Sequence, residues 1–483
     1  MVEHDINADD RVSGVSRRRF IQATGAAGAT MGIAGCADDD DGDGGPIEIS
    51  ADQNFAEIED ELQQALWDAG LDEDVEIEIL PGDFETDSRR ADYTSTLDAG
   101  RGNPDIFMMD SGWTMPFILR EQVLNLEEEL SDETLEYVKN DYLQASVDTA
   151  THPETGDLHG LPYFPDYPMM NYRKDLVEEA GYDPEAENWS TEPMSWQEFA
   201  EIVEDVWEYH GGPDGEYDYG FTTQAQAYEG LSCCTFNETM TSWGGAYFGD
   251  HDNLFGPVGD RPVTVNEEPL HDTIRMMRSF MYGPDEEDTL DGYPQIANSD
   301  LVEFGEEEAR APFTGGNAIF MRNWPYVIPI HADEGEGEVG TMPLPYGVEE
   351  GEAAYDGAGG SSHALGGWHY TINPNSDRVD EAVQVLEAFA NESVMLTVFE
   401  LEGTIPPDPE VLANADPDAV GPIGDHLDTL SFIAENTVPR PVTDIWPEQS
   451  ALIYQEVHDA YTGDKTPEEA MADLEEQLEG SEA

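Results

Sequence analysis

Three charged side chains occupy positions from which they could bind a small polar ligand. Asp110 ends the apolar run 106–109, Asp166 closes a Phe-Pro-Asp turn, and Arg440 lies between two prolines in a chain with only 19 Lys and Arg. A carboxylate accepts hydrogen bonds from two neighbouring hydroxyls, and a guanidinium supplies matching donors. These residue types therefore favour recognition of a ligand that carries several hydroxyl groups.

Three aromatic side chains could supply the apolar part of such a site. Trp324, Tyr326 and Trp368 offer flat faces against which C–H groups can pack, with little rotamer freedom to lose. Gly366 and Gly367, next to Trp368, would let backbone amides approach a ligand closely. An alternative role for Trp324 is that of a core residue beneath Pro325.

The carboxylates allow other interpretations. The chain has 107 Asp and Glu, and most such groups in any protein are solvated at the surface. Two carboxylates about 5–9 Å apart could also act as the acid and base, or acid and nucleophile, of a glycoside hydrolase. Arg440 could instead neutralise a structural carboxylate.

Other reactive residue types show no functional spacing. His363 and His369 lack the spacing of metal ligands and are interpreted as polar cleft or core residues, so no metal site is predicted. Cys233 and Cys234 are adjacent, hence geometrically poor disulfide partners, and are predicted to be small buried apolar residues. The chain has no Gly-x-x-x-x-Gly-Lys-Ser/Thr phosphate loop, and no cofactor is predicted.

Hydrophobic spacing predicts the elements that position Asp110. Apolar residues alternate in two segments and recur at helical intervals between them. The predicted order is strand 47–50, a helix containing residues 55–66, strand 75–80, a helix at about 88–99, and strand 103–109. This alternation is typical of a doubly wound α/β sheet, which binds ligands beyond the carboxyl ends of its strands, where Asp110 lies.

Helix-capping patterns place three further helices. Ser195 and Glu198 form a predicted capping box before an apolar stripe that includes Phe199. Residues 382–389 have helical apolar spacing, and Thr466 with Pro467 is predicted to start the last helix.

Length and composition bound the class of protein. A chain of 483 residues is too long for one ordinary core and fits two units of roughly 150–200 residues. The formal net charge is -88, yet 10% of residues are aromatic, which indicates a folded protein with an acidic surface. Molar salt would screen this charge, so the composition predicts a halophilic source. It also argues against nucleic acid or anionic lipid as partners.

The N-terminal segment reads as an export signal. Arg17 and Arg18 precede a Gly/Ala-rich run that ends at Cys36, which predicts twin-arginine export followed by lipidation of Cys36 in segment 1–36. The acidic, Gly-rich segment 37–45 is predicted to be a flexible tether. The expected location is the outer face of the membrane, where a second acyl chain or an uncleaved segment would be needed for firm attachment.

Several phrases of the sequence resemble the extracellular sugar-binding proteins of ABC importers. The resemblance covers nearly all of the mature chain and is most like the trehalose/maltose-binding branch. It rests on the segments 103–113, 160–176, 228–231, 318–326, 366–369 and 439–442.

The resemblance implies a type II-like periplasmic-binding-protein fold with two α/β lobes and a hinge. The first lobe is expected over 46–152 and 358–396, and the second over 153–357 and 397–483. The residues that match sugar-contacting positions are Asp110, Asp166, Trp324, Tyr326, Gly367, Trp368 and Arg440, and more loosely Arg89 and Glu57.

The implied function is capture of a di- or oligosaccharide by hinge closure and its delivery to the permease subunits of an ABC importer. The protein is expected to be a monomer without catalytic residues, and ATP hydrolysis would occur on a separate subunit. A receptor for a polyol or a glycerol derivative, and a glycoside hydrolase, are the alternatives that stay open.

Overall fold

A computed structural model describes residues 45–82 and 86–483. The predicted export signal, Cys36 and nearly all of the predicted tether lie outside the described residues. Pro46–Ala483 forms one compact unit. The described residues contain ten strands: β1 (Ile47–Ala51), β2 (Ile77–Pro81), β3 (Ile106–Asp110), β4 (Leu161–Asp166), β5 (Met169–Arg173), β6 (Tyr219–Thr222), β7 (Ala318–Asn323), β8 (Val339–Met342), β9 (His363–Ile372) and β10 (Thr437–Pro439).

Helices separate β1 from β2 and β2 from β3, as the sequence predicts. The helices within the described residues are α1 (Gln53–Glu57), α2 (Glu59–Asp68), α3 (Thr86–Asp98), α4 (Thr114–Leu119), α5 (Asp132–Asp141), α6 (Gln144–Thr149), α7 (Lys174–Glu179), α8 (Trp196–Tyr209), α9 (Phe236–Ser242), α10 (Glu268–Tyr282), α11 (Glu306–Thr314), α12 (Val327–Glu334), α13 (Val379–Phe389), α14 (Glu392–Glu402), α15 (Pro409–Ala413), α16 (Leu427–Ala434), α17 (Trp446–Thr462) and α18 (Pro467–Ser481).

The strands form two separate sheets. One has six strands in the order β10-β9-β3-β1-β2, with β4 also paired to β9, and the other has four in the order β6-β7-β5-β8. β1 runs parallel to β2 and β3, whereas β9 runs antiparallel to β3 and β4. Two sheets, each with helices, agree with the two α/β lobes that the family resemblance implies.

Each sheet is packed into its own apolar cluster. Ile49, Ile106 and Ile372 of the six-stranded sheet belong to one cluster of buried residues. Phe320 of the four-stranded sheet packs in another with Phe199 of α8. These two clusters, the largest among the described residues, give each sheet a core of its own, as expected for a chain too long for one core.

Local signals correctly predicted several element boundaries. The Oγ atom of Ser195 accepts from the Glu198 N–H and starts α8, and Thr466 forms a reciprocal capping box with Glu469 at α18. The helix predicted across 55–66 is instead two helices, because the backbone leaves the helical region at Ile58, with φ -113° and ψ 15°.

Two strands join a different sheet from the one their predicted lobe implies. β4 and β10 lie in segments assigned to the second lobe, yet both pair with β9 in the six-stranded sheet. The sheet that a strand joins depends on pairing with a distant segment. The local sequence patterns of β4 and β10 do not show which segment that is.

Among residues 45–82 and 86–483, no single helix is long and apolar enough to cross a membrane. Taken together, α13 and α14 have the length and apolar composition of a membrane span, but the pair is bent by 74°.

Candidate functional site: a cleft between the two sheets

A cavity of about 380 Å³ lies where strands of both sheets end. Five lining residues directly follow or terminate a strand, which is where α/β sheets place their ligands. They are Asp52 after β1, Asp110 at the end of β3, Asp166 at the end of β4, Trp324 after β7 and Arg440 after β10.

Strand pairing brings the lining residues of the six-stranded sheet together. In the register of β9, Trp368 is opposite Asp110 on β3, and Gly366 is opposite Asp166 on β4. Two carboxylates and one indole thus converge on a single strand. The sequence places each carboxylate at least 200 positions from its partner on β9, and only the antiparallel pairing makes them neighbours.

Arg440 is the charged centre of the cavity. Its Nη1 atom lies 3.1 Å from Asp110 Oδ1 and 3.1 Å from Glu229 Oε1. Asp110 and Arg440 come from the six-stranded sheet, whereas Glu229 follows β6 of the four-stranded sheet, so the Arg440–Glu229 ion pair bridges the cleft. Gly112 makes room for this arrangement, because a Cβ atom there would overlap the guanidinium of Arg440.

The charges in this cluster do not balance. Burial raises the pKa of Glu229, the nearby Asp110 carboxylate raises it further, and Arg440 opposes both effects. Asp110, Glu229 and Arg440 are all at least nine-tenths buried. One guanidinium therefore serves two carboxylates, and a ligand hydroxyl is a natural further donor to them.

Asp166 has a strongly perturbed acidity. Burial raises the pKa of its carboxyl to about 7, although the Arg322 guanidinium and a hydrogen bond from the Tyr167 N–H favour the ionised form. The Asp110 charge adds to the upward shift. Near neutral pH, Asp166 can therefore accept hydrogen bonds as a carboxylate or donate one as an acid.

Trp324 is held from behind by a buried arginine. The guanidinium carbon of Arg322 lies 4.6 Å from the centre of the indole ring. Arg322 Nε and Nη2 donate to Glu238 at 2.6 and 2.8 Å, and both side chains are almost completely buried. The indole also reaches across to β9, because a Cβ atom on Gly366 would lie 3.3 Å from its Cη2 atom.

Trp368 has a comparable support on the other side of the cleft. Its ring lies 4.6 Å from the guanidinium carbon of Arg89, which is 1% exposed and forms an ion pair with Asp52. Arg89 thus lies behind the indole and is not among the lining residues, contrary to its predicted ligand contact. The sequence does not show which way α3 turns this side chain.

Glu57 is also absent from the cavity wall. It is exposed at the end of α1, whereas Asn54 and Phe55 of the same helix line the cavity. Glu57 and Arg89 were placed through weakly similar stretches, and helix rotation decides which residue of such a stretch faces a cleft.

Tyr326 lines the cavity with its hydroxyl fixed. The hydroxyl donates to Glu307 Oε1 at 2.8 Å, and Arg310 forms an ion pair with the other oxygen of Glu307 at 2.6 Å. The aromatic face of Tyr326 is therefore held in one orientation at the cavity wall.

Gly367 is required by backbone packing. Its φ is +109°, and a Cβ atom there would come within 2.5 Å of the Phe164 carbonyl oxygen on β4. Glycine at this position allows β4 and β9 to pair around the register shift between Pro162 and Phe164.

Cys233 and Cys234 form a disulfide with each other, so the prediction that they are poor disulfide partners was wrong. They lie in a π-helical turn, Leu231–Thr235, and both line the cavity. The predicted burial is correct, with 4% and 3% exposure. Close spacing disfavours such a bond in ordinary backbone, and the sequence shows no sign of the wider π-helical turn.

His363 and His369 are core residues. Both are buried, and burial lowers the pKa of each imidazole to about 3, so both are neutral. Within residues 45–82 and 86–483, no cluster of three His, Cys, Asp or Glu side chains could hold a metal ion.

Comparison with known proteins identifies the family. Residues 56–395 match the sequence family described as bacterial extracellular solute-binding protein. The chain belongs to this family. The resemblance predicted from sequence phrases such as 318–326 is thus confirmed.

Three known proteins are similar to this chain in sequence or in fold. A probable ABC transporter-binding protein from Deinococcus radiodurans is 25% identical over 406 residues, which is 82% of this chain and 84% of that protein. The maltose-bound structure of Thermotoga maritima MalE3 is 26% identical, with a TM-score of 0.71, over 90% of this chain and 99% of that one. A Thermotoga lettingae solute-binding protein bound to α-D-tagatose is 17% identical, with a TM-score of 0.70, over 91% and 100% of the two chains. The predicted two-lobed fold is therefore confirmed.

Seven of the predicted ligand contacts of this solute-binding protein line one cavity: Asp110, Asp166, Trp324, Tyr326, Gly367, Trp368 and Arg440. Sequence reasoning missed other lining residues, chiefly Tyr228, Glu229, Cys233, Cys234 and Glu306. The phrase Tyr-Glu-Gly-Leu at 228–231 contributed to the family resemblance, and it was the available signal for Tyr228 and Glu229. Tertiary pairing with Arg440 is what brings Glu229 to the cavity.

Proposed function

We propose that this solute-binding protein captures a neutral sugar in the cleft and delivers it to the membrane subunits of an ABC importer. The observation that carries the proposal is the composition of the cavity wall. Trp324, Tyr326 and Trp368 line the same cavity as hydrogen-bonding carboxylates and a single guanidinium. Aromatic faces suit the C–H surfaces of sugar rings, and the charged groups suit their hydroxyls.

The size of the cavity supports a compact ligand of disaccharide class. About 380 Å³ lies at the lower end of the range for small-molecule sites. The similarity to a maltose-bound protein at 26% identity favours a trehalose- or maltose-like sugar over a polyol or glycerol derivative. Closure of the two sheets about a hinge would enclose the sugar, with the Arg440–Glu229 pair as one contact that forms across the cleft.

The proposed location follows from the N-terminal sequence. Arg17 and Arg18 would direct twin-arginine export, and lipidation of Cys36 would anchor a monomeric receptor on the outer face of the membrane. Replacement of Cys36 by serine is then expected to release the protein into the medium, which fractionation of cells and medium would show.

Calorimetric titration tests the function directly. The full chain carrying C36S would be titrated in about 3 M salt, which screens its charge, with trehalose, maltose, glucose, and glycerol as the small polyol. Saturable binding of a sugar that is recovered unchanged supports a receptor. Appearance of a hydrolysis product would favour the glycoside hydrolase, and absence of binding to any of the four would refute the sugar assignment.

The cavity is expected to discriminate against anions. Among the described residues that line it, seven are carboxylates and only Arg440 carries a permanent positive charge. Because like charges repel strongly in a desolvated site, glucuronate is expected to bind at least about tenfold more weakly than glucose, from which it differs by one carboxylate. Competition against a bound sugar measures both. Equal or tighter binding of glucuronate, or of glycerol 3-phosphate, would contradict the neutral-sugar assignment.

Sugar affinity is expected to rise with pH through neutrality. Sugar hydroxyls that donate to Asp166 stabilise its ionised form, so binding lowers the pKa of this carboxyl from about 7. By linkage, affinity at pH 8 should exceed affinity at pH 6, by up to about tenfold if the bound carboxyl stays ionised. Titration at several pH values measures the change.

Two variants assign this pH dependence. Asp166→Asn should bind weakly with little dependence on pH, whereas Glu229→Gln, which removes another lining carboxyl with a raised pKa, should retain the dependence. An unchanged slope in Asp166→Asn would show that another group titrates.

A further inference from the structure

One short segment supplies an unusually large part of the cavity wall. Five of the seven residues from 228 to 234 line the cavity, among them the two cysteines of the disulfide. The segment contains a π-helical turn, an arrangement that occurs frequently at functional sites. The disulfide therefore occupies a position where a ligand can touch it.

Hydrogen bonds to buried residues hold the middle of this segment in place. The Ser232 carbonyl oxygen accepts from the Tyr247 hydroxyl at 2.7 Å, and the Ser232 hydroxyl lies 2.6 Å from that of Ser450. All three residues are buried, as are both cysteines. The sulfur atoms are consequently held on a rigid support.

Stabilisation of the chain does not account for the disulfide. A disulfide stabilises a fold mainly by closing a long loop in the unfolded chain, and the gain grows with loop length. The separation of Cys233 and Cys234 is one residue, so their bond closes almost no loop. A role in the shape of the cavity wall explains the bond better.

We propose that the Cys233–Cys234 disulfide is a contact surface for an apolar face of the sugar and that sugar affinity depends on its oxidation. This inference rests on the proposed function. Two bonded sulfur atoms present a compact, polarisable surface without a hydrogen-bond donor, which complements C–H groups. Members of an extracellular family work in an oxidising environment, where such a bond persists.

Reduction would change this surface in a defined way. A thiolate of dithiothreitol attacks one sulfur and breaks the S–S bond, and its second thiolate then releases that sulfur and closes the cyclic disulfide of the reagent. Two electrons pass to the protein, and each cysteine gains one proton at neutral pH. The two thiols then rotate independently and move apart. Binding of a sugar must fix their rotamers again, which costs conformational entropy and lowers the affinity.

The test uses the full chain carrying C36S, which leaves only these two cysteines. Maltose and trehalose are titrated before and after treatment with dithiothreitol, and thiols are counted by labelling under denaturing conditions. We expect no thiol before treatment, two after it, and affinity reduced by about tenfold, as for loss of one well-packed apolar contact. The variant C233S/C234S should bind as weakly as the reduced chain and should not respond to the reagent.

The outcomes separate this inference from the proposed function. Two free thiols in the untreated chain, or equal affinity of oxidised and reduced protein, overturn the inference while sugar binding stands. If the bond resists the reagent, C233S/C234S decides, since affinity equal to that of the oxidised chain overturns the inference. If the oxidised chain binds no sugar at all, neither maltose nor trehalose nor any other, the proposed function itself is refuted.

Discussion

Replacement of Arg322 by methionine is expected to lower the free energy of unfolding by about 3–5 kcal/mol. Arg322 and Glu238 are 2% and 3% exposed, and the guanidinium makes two hydrogen bonds to the carboxylate. The variant leaves the Glu238 charge buried without its partner. Urea unfolding at fixed salt, followed by tryptophan fluorescence, measures the change.

Two controls test whether burial of the unpaired charge is the cause. The double variant R322M/E238L removes both charges and should recover most of the lost stability. Lys174→Met disrupts a partly exposed pair with Glu178, whose charged atoms are 3.9 Å apart, and should cost less than about 1 kcal/mol. If Arg322→Met were as stable as Lys174→Met, the buried pair would contribute no more than a surface one.

The double variant R322M/E238L also tests whether Arg322 contributes to sugar binding. Arg322 stacks on the indole of Trp324, and Trp324 packs against Gly366 across the cleft. The apolar replacement keeps volume behind the indole but removes the cation. R322M/E238L should therefore fold and still bind sugar more weakly than the native chain, because Trp324 loses a fixed orientation.

The fold was predictable where local patterns decide it. Alternating and helical apolar spacing predicted the strands and helices that lead to Asp110, and Ser195 and Thr466 marked the starts of α8 and α18. The assignment of β4 and β10 to a sheet was not predictable, because it depends on which distant strand each one pairs with.

The candidate site was predictable for residues that stand at strand ends or in family phrases, such as Asp110 and Trp324. Arg89 shows the limit of this reasoning. A loose match to the family suggested a ligand contact, yet an ion pair with Asp52 and a stack on Trp368 hold Arg89 behind the cavity wall. A charge that supports a binding residue and one that contacts the ligand look alike in a sequence, since only packing separates them.

The disulfide shows a second limit. Adjacent cysteines argue against a bond when the backbone is assumed to be ordinary, whereas the π-helical turn at Leu231–Thr235 accommodates one. Residues 231–235 carry no Gly or Pro, so no turn signal marks this local conformation.

Replacement of Arg440 by glutamine is expected to weaken sugar binding by at least about 100-fold. The guanidinium lies 3.1 Å from Asp110 and 3.1 Å from Glu229, and it is 4% exposed. Its loss leaves two buried carboxylates beside each other and removes the only permanent cation among the described lining residues. Titration with maltose and trehalose measures the effect.

A second variant separates two explanations of this loss. If Arg440 acts only by balancing charge, R440Q/E229Q should regain affinity, because one carboxylate no longer opposes another. If the guanidinium also donates to the sugar, the double variant should regain stability but stay weak in binding. We expect the second result, since Arg440 lines the cavity and carries more donors than its two carboxylate contacts use.

Arg440→Lys separates the effect of the charge from that of the donors, because lysine keeps the charge but lacks the planar array of donors. It should preserve stability better than glutamine does and still bind sugar weakly. Native affinity in Arg440→Gln would remove Arg440 from the binding site altogether. Recovery of native affinity in R440Q/E229Q would reduce its role to a counter-ion for Asp110 and Glu229, and the carboxylates with Trp324, Tyr326 and Trp368 would then have to account for recognition alone.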